Sequence, residues 1–126
     1  FLVKHLRINW VEGEKHFRNC LLDFNEANNV AQWQWVAGCG ADAAPYFRIF
    51  NPILQGEKFD KEGLYVKKWV PELNKVPAKF IHKPWEMELK YQEAIKTIIG
   101  KDYPSPIVIH ERARVSALEA FKSLKK

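Results

Sequence analysis

A chain of 126 residues with 47% hydrophobic side chains is long enough for one buried core and excludes a disordered polymer. Its net charge of +5 suits an anionic partner such as nucleic acid without requiring one. Two cysteines, Cys20 and Cys39, lack metal-ligand spacing and exclude a disulfide scaffold, and no apolar run approaches the roughly 18 residues of a bilayer span, so a soluble, cytoplasmic protein without a metal or a membrane is expected.

Residues 1–8 carry apolar side chains at helical spacing with no capping residue ahead of them, which predicts a helix entered midway. After a junction at Asn9-Trp10, a second helix is predicted over 11–22, with Phe17, Cys20 and Leu21 on one face. A third starts at Asp23 or Asn25, either of which can cap free N–H groups, has Glu26 in its first turn, runs to about residue 36 and is stopped by Gly38 and Gly40. Residues 41–52 read as an irregular segment held by Tyr46, Phe47, Ile49 and Phe50. Pro52 opens a short helix that Gly56 breaks, and Asp60 caps a helix over 61–69 that ends before Pro71. A helix over 85–99, a linker over 100–106 and a last helix over 110–124 complete an all-α reading, with no alternation of strand length.

The stretch from Asp23 to Trp35 carries the chemistry. Asn25, Asn29 and Trp33 recur at i, i+4 and i+8 and share one helix face, while Trp35 points nearly oppositely. Amides interleaved with an indole make a poor plain core, because each buried amide needs its hydrogen bonds; they make a reasonable wall for a flat heterocycle.

The run Asn28-Asn29 to Trp33-Gln34-Trp35, then Asp42-Ala43-Ala44-Pro45-Tyr46-Phe47-Arg48-Ile49-Phe50-Asn51-Pro52, then Gln55-Gly56-Glu57-Lys58-Phe59-Asp60 and Trp69-Val70-Pro71-Glu72-Leu73, resembles the flavin domain of class I cyclobutane pyrimidine dimer photolyases. The likeness continues through Asp102-Tyr103-Pro104 and Pro106-Ile107-Val108 and covers nearly the whole chain. It implies an all-α fold forming the later part of a helical FAD-binding domain. An α/β domain with an antenna pigment, the first helical part and the phosphate-gripping loop would then lie ahead of Phe1. The activity implied is light-driven repair of pyrimidine dimers in UV-damaged DNA by electron transfer from reduced FAD, through a flipped-out lesion.

By the same resemblance, Asn29 faces the reactive nitrogen of the flavin ring, with Asp23 and Asn25 beside the isoalloxazine and ribitol. Asn25 stands where the family commonly has a second acid. Trp33 matches the flavin-proximal member of a tryptophan electron-transfer chain and Trp10 the middle member; the third falls upstream of Phe1. Trp35 matches the ring packed on the lesion, and Arg48, Gln55 and Lys58 match contacts to the DNA backbone. A cryptochrome photoreceptor using the same pocket is the alternative; Asn29, where plant cryptochromes resemble an Asp, and Trp35 with Pro45-Tyr46-Phe47-Arg48 lean to repair. Trp69 and Trp85 are assigned to packing, His5, His16, His82 and His110 to structural or exposed positions, and Lys122, Lys125 and Lys126 to a solvated end. Half a flavin pocket predicts weak FAD retention by the chain alone, and apolar faces left uncovered predict self-association.

Overall fold

A computed structural model describes residues 1–41 and 48–124. Tyr46 and Phe47, the motif residues Asp42 to Pro45, and Lys125 and Lys126 lie outside the described residues. The chain divides into two compact units: residues 1–50 with 108–126, and residues 51–107. Among the described residues the architecture is all-α, with one isolated bridge between Ile99 and Tyr103. No helix among them is long and apolar enough to cross a membrane.

The first unit begins with hydrogen-bonded turns over 1–8, not the predicted helix. Arg7 has φ of 56°, a left-handed conformation that interrupts any α-helix there, although the apolar spacing was helical. α1 (Trp10–Cys20) starts where Asn9 accepts a hydrogen bond from Val11 N–H at 3.1 Å. It is two residues shorter than expected at its C-terminal end and one longer at its start. α2 (Glu26–Ala37) is capped by Asn25, which accepts from Asn28 N–H at 3.0 Å, and ends on Gly38 in the left-handed region. The cap is therefore Asn25, not Asp23. α6 (His110–Ser123) belongs to the same unit, within a residue of its expected bounds.

The interior of this unit is strongly polar: His5, Glu14 and Asn29 are all buried beside Gly13 and Ala117. His5 Nε2 and His110 Nδ1 stand 2.9 Å apart and join the opening turns to the first residue of α6. α1 packs on α2, and the site is built on that pair.

The second unit holds the apolar core: Leu73, Val76, Ile81 and Met87, with Val66, Val70, Phe80, Ile95 and Tyr103 packed against them. α3 (Pro52–Phe59) runs through Gly56, so the expected break is corrected. Glycine is there for space, since a Cβ would overlap His82 Nδ1 and stand 2.8 Å from its Cγ. His82 in turn donates its Nε2–H to the Asp60 carbonyl at 2.6 Å. α4 (Leu64–Trp69) starts later than residue 61, but Asp60 does serve it, its carboxylate accepting from Tyr65 and Val66 N–H groups at 3.2 and 3.1 Å.

Three single-turn 3-10 helices then follow over Pro71–Leu73, Ala78–Phe80 and Pro84–Glu86, and α5 (Leu89–Ile95) is shorter than the expected 85–99. Pro84 starts the last of those tight turns, and Lys96, at φ 57°, ends α5. The expected linker over 100–106 opens as a tight turn: Ile98 N–H donates to Asp102 at 2.8 Å and Gly100 N–H to the Tyr103 carbonyl at 2.7 Å. Trp69 and Trp85, assigned to packing, are 62% and 40% exposed, and Phe50 is likewise outward-facing.

Candidate functional site

A cavity of about 480 Å³ opens in the first unit, within the range of roughly 300–1,000 Å³ common for small-molecule sites. Asp23, Asn25, Asn28, Asn29 and Gln32 give it a polar side; Leu2, Val3, Phe17, Leu21 and Trp33 give it an apolar one. The helix face read from spacing, Asn25 to Asn29 to Trp33, is thus one wall of a real hollow. Asp23 joins it from the turn before α2 and stays exposed, as does Asn25, whose side-chain oxygen is already committed to the helix cap.

Asn29 is buried and held from α1. Its Nδ2 donates both to the Glu14 carbonyl and to Glu14 Oε1, each at 3.0 Å. Two acceptors on one side of the amide fix which end is nitrogen. Oδ1 is therefore the free end, and no described residue donates to it. An amide that is held through its nitrogen and turns its oxygen toward an open hollow can accept from a flat ligand with an N–H at its edge. Glu14 is itself anchored: Arg18 Nη2 donates to its Oε1 at 2.7 Å and to Glu26 Oε1 at 2.9 Å, so α1 and the first turn of α2 are pinned by one guanidinium.

The three indoles occupy different places. Trp33 is half-buried in the cavity wall, with Phe17 edge-on to it at 5.1 Å between ring centroids. Trp10, at the start of α1, lines a second cleft of about 540 Å³ with Val3, Ile8 and Phe121. Trp35 is 43% exposed and lines a third recess of about 350 Å³ with Gly40 and Ala41, away from the Trp33 cavity as its spacing required. Gln32 borders both the first and the third hollow.

Of the expected backbone-contacting residues, Arg48 is exposed in the first unit, its guanidinium 5.5 Å above the Phe50 ring. Gln55 and Lys58 both lie on α3 in the second unit; Gln55 is half-buried and Lys58 exposed, its ammonium 5.0 Å above Phe59. Among the described residues no three His, Cys, Asp or Glu side chains converge as a metal site would need.

The family model for the FAD binding domain of DNA photolyase matches residues 1–123. The chain belongs to this family.

A deoxyribodipyrimidine photo-lyase of Agrobacterium fabrum is 56% identical over the full chain, which spans 26% of that relative. The crystal structure of a bacterial class III photolyase from Agrobacterium tumefaciens superposes with a TM-score of 0.90 at 56% identity, over 99% of this chain and 26% of that one. A cryptochrome of Synechocystis superposes at 0.87 with 35% identity, over 94% of this chain and 24% of its own. The chain therefore spans about a quarter of the length of the relatives it matches. Photolyase-family membership agrees with the all-α fold.

Glu14 is the site residue that sequence reasoning missed. An acid four residues before Arg18 on a helix reads as a solvated i, i+4 pair. Only the packing of α1 on α2 turns it into a buried clamp on Asn29.

Proposed function

We propose that this chain is the carboxyl-terminal part of the FAD-binding domain of a cyclobutane pyrimidine dimer photolyase, working with an antenna-carrying α/β domain and an earlier helical part. The observation that carries the proposal is the cavity wall, where Asn29 presents a free Oδ1 and Trp33 an indole one turn later. FAD, when bound, would supply light-driven one-electron chemistry to a dimer in DNA. The residues that would hold its ring are Asn29, with Asp23 and Asn25 beside it.

Each residue then has a defined task. Asn29 accepts a hydrogen bond from a ring N–H, which favours the reduced, protonated form of whatever ring lies there. Trp33 donates an electron toward the site and Trp10 refills it. Trp35 offers its exposed face to a flipped base, where stacking contributes about 1–3 kcal/mol per base. Arg48, Gln55 and Lys58 hold the strand through phosphates and carry no sequence information. The class I reading rests on the ordered run from Asn28 through Trp35, Asp42–Pro52, Gln55–Asp60 and Trp69–Leu73, whereas the Agrobacterium tumefaciens structure it resembles is a class III photolyase.

The test is complementation. Purified alone, the chain should show little flavin absorbance, and a stoichiometric yellow band would contradict the half-site reading. Joined to the preceding three quarters of the Agrobacterium relative, it should bind FAD and remove dimers from UV-irradiated oligonucleotides under blue light. Trp33→Phe in that protein should slow flavin photoreduction while pre-reduced enzyme still repairs; equal loss of both would remove Trp33 from the electron path. A cryptochrome reading is favoured by the Synechocystis likeness alone, and it predicts photoreduction with no dimer repair.

A further inference from the structure

Gly13 is a buried glycine in the body of α1, where alanine is the better helix former. What occupies the space of its missing side chain is the indole of Trp33. A Cβ on Gly13 would overlap Trp33 Cη2 and Cζ3 and stand 2.6 Å from Cζ2, so the outer edge of the six-membered ring occupies the space that a side chain there would take. The ring cannot simply slide aside, since Phe17 stands edge-on against it.

Gly13 sits three residues after Trp10 and four before Phe17, on one stripe of α1. Trp33, from α2, is seated on that stripe between them. We propose that Gly13 is a positioning residue for electron transfer: by leaving room for the edge of the indole, it sets how closely Trp33 approaches the α1 turn that begins with Trp10, while keeping Trp33 in the cavity wall.

This rests on the function proposed above. In that reading Trp33 gives one electron toward the bound flavin and is left as an indole radical cation. Trp10 refills it by giving up one electron, which the third, upstream member of the chain replaces and a thiol reductant in solution finally supplies. Gly13 acts only through Trp33, so its effect is geometric: the rate of electron transfer falls off exponentially as donor and acceptor are moved apart.

The test is Gly13→Ala, followed by three readouts. In the flavin-loaded protein, anaerobic blue-light photoreduction with a thiol donor, normalised per bound flavin, should slow several-fold. Near-UV circular dichroism should show the Trp33 environment altered. The thermal midpoint of the chain should fall, against the rise that helix propensity alone dictates, and the fall should shrink or reverse when Gly13→Ala is combined with Trp33→Leu. A raised midpoint with an unchanged near-UV spectrum overturns the proposal. Photoreduction that persists undiminished in Gly13→Ala overturns the role of Gly13 alone, whereas flavin that binds but is not photoreduced in the unaltered protein defeats the functional reading and the role of Gly13 with it.

Discussion

Replacing Glu14 by Ala should cost this chain about 2 kcal/mol, although the residue lines no hollow described above. The Asn29 Nδ2 to Glu14 Oε1 bond is buried and has an ionised acceptor, and such bonds contribute about 1.5–3 kcal/mol. The Glu14 carbonyl stays in Glu14→Ala and goes on accepting from Nδ2, so the lower part of that range applies. Arg18 adds little: its side chain is 41% exposed, water and salt screen it, and Glu26 remains as a partner.

At this chain length a loss of about 2 kcal/mol lowers the thermal midpoint by roughly 6–10 °C. Asn29→Ala removes both bonds and should cost about 2–3 kcal/mol. The two variants share one bond, so the double variant should lose about 1.5 kcal/mol less than the sum of the singles. Urea denaturation of the four proteins at pH 7 measures each term. Additive losses, or a Glu14→Ala loss below about 0.5 kcal/mol, would refute the buried clamp.

Burial first, and the charge of His110 with it, holds His5 below the ordinary histidine range. With Nε2 engaged to His110, protonation would place an N–H at Nδ1, which is buried without a partner. Because the folded value is depressed, the unfolded chain binds the proton first: stability is complete above about pH 6.5 and falls as pH drops from there toward the folded value. His5→Phe should flatten the urea midpoint between pH 7.5 and 5.5, and an unchanged slope would assign it elsewhere. For Asp60, burial raises the carboxyl pKa, but the N–H groups of Tyr65, Val66 and Leu64 together outweigh it and leave it below the usual carboxylate value. Its stabilising contribution is present above that value and lost as pH falls through the lower folded one; Asp60→Ala should lower the thermal midpoint and Asp60→Asn recover part, and equal losses would contradict a capping role. Exposed Phe59, Leu64, Tyr65 and Trp69 should make the purified chain self-associate, so sedimentation at rising concentration should show oligomers, and a strict monomer would argue against it.

The helix cap at Asn25, the service of Asp60 to the first turn of the helix after it, the shared face of Asn25, Asn29 and Trp33, and the opposite aim of Trp35 were all legible in the sequence. Each depends on contacts within about one or two helical turns, and residue spacing alone fixes those. The family itself was legible for a related reason, since ordered motifs survive without knowledge of what they touch. The unpredicted features all involve distant partners: His82 lets α3 continue through Gly56, Trp33 fills the space over Gly13, and Asn29 buries Glu14. Gly56 inside a helical pattern reads as a break, and an acid near an arginine reads as surface, until another element is laid against it. The opening turns failed differently, because apolar spacing at helical period does not reveal a left-handed Arg7 or a histidine paired with one 105 positions away. Local rules specified the helices; which helix face met which neighbour was decided by packing, and the hydrogen bonds of the site exist only there.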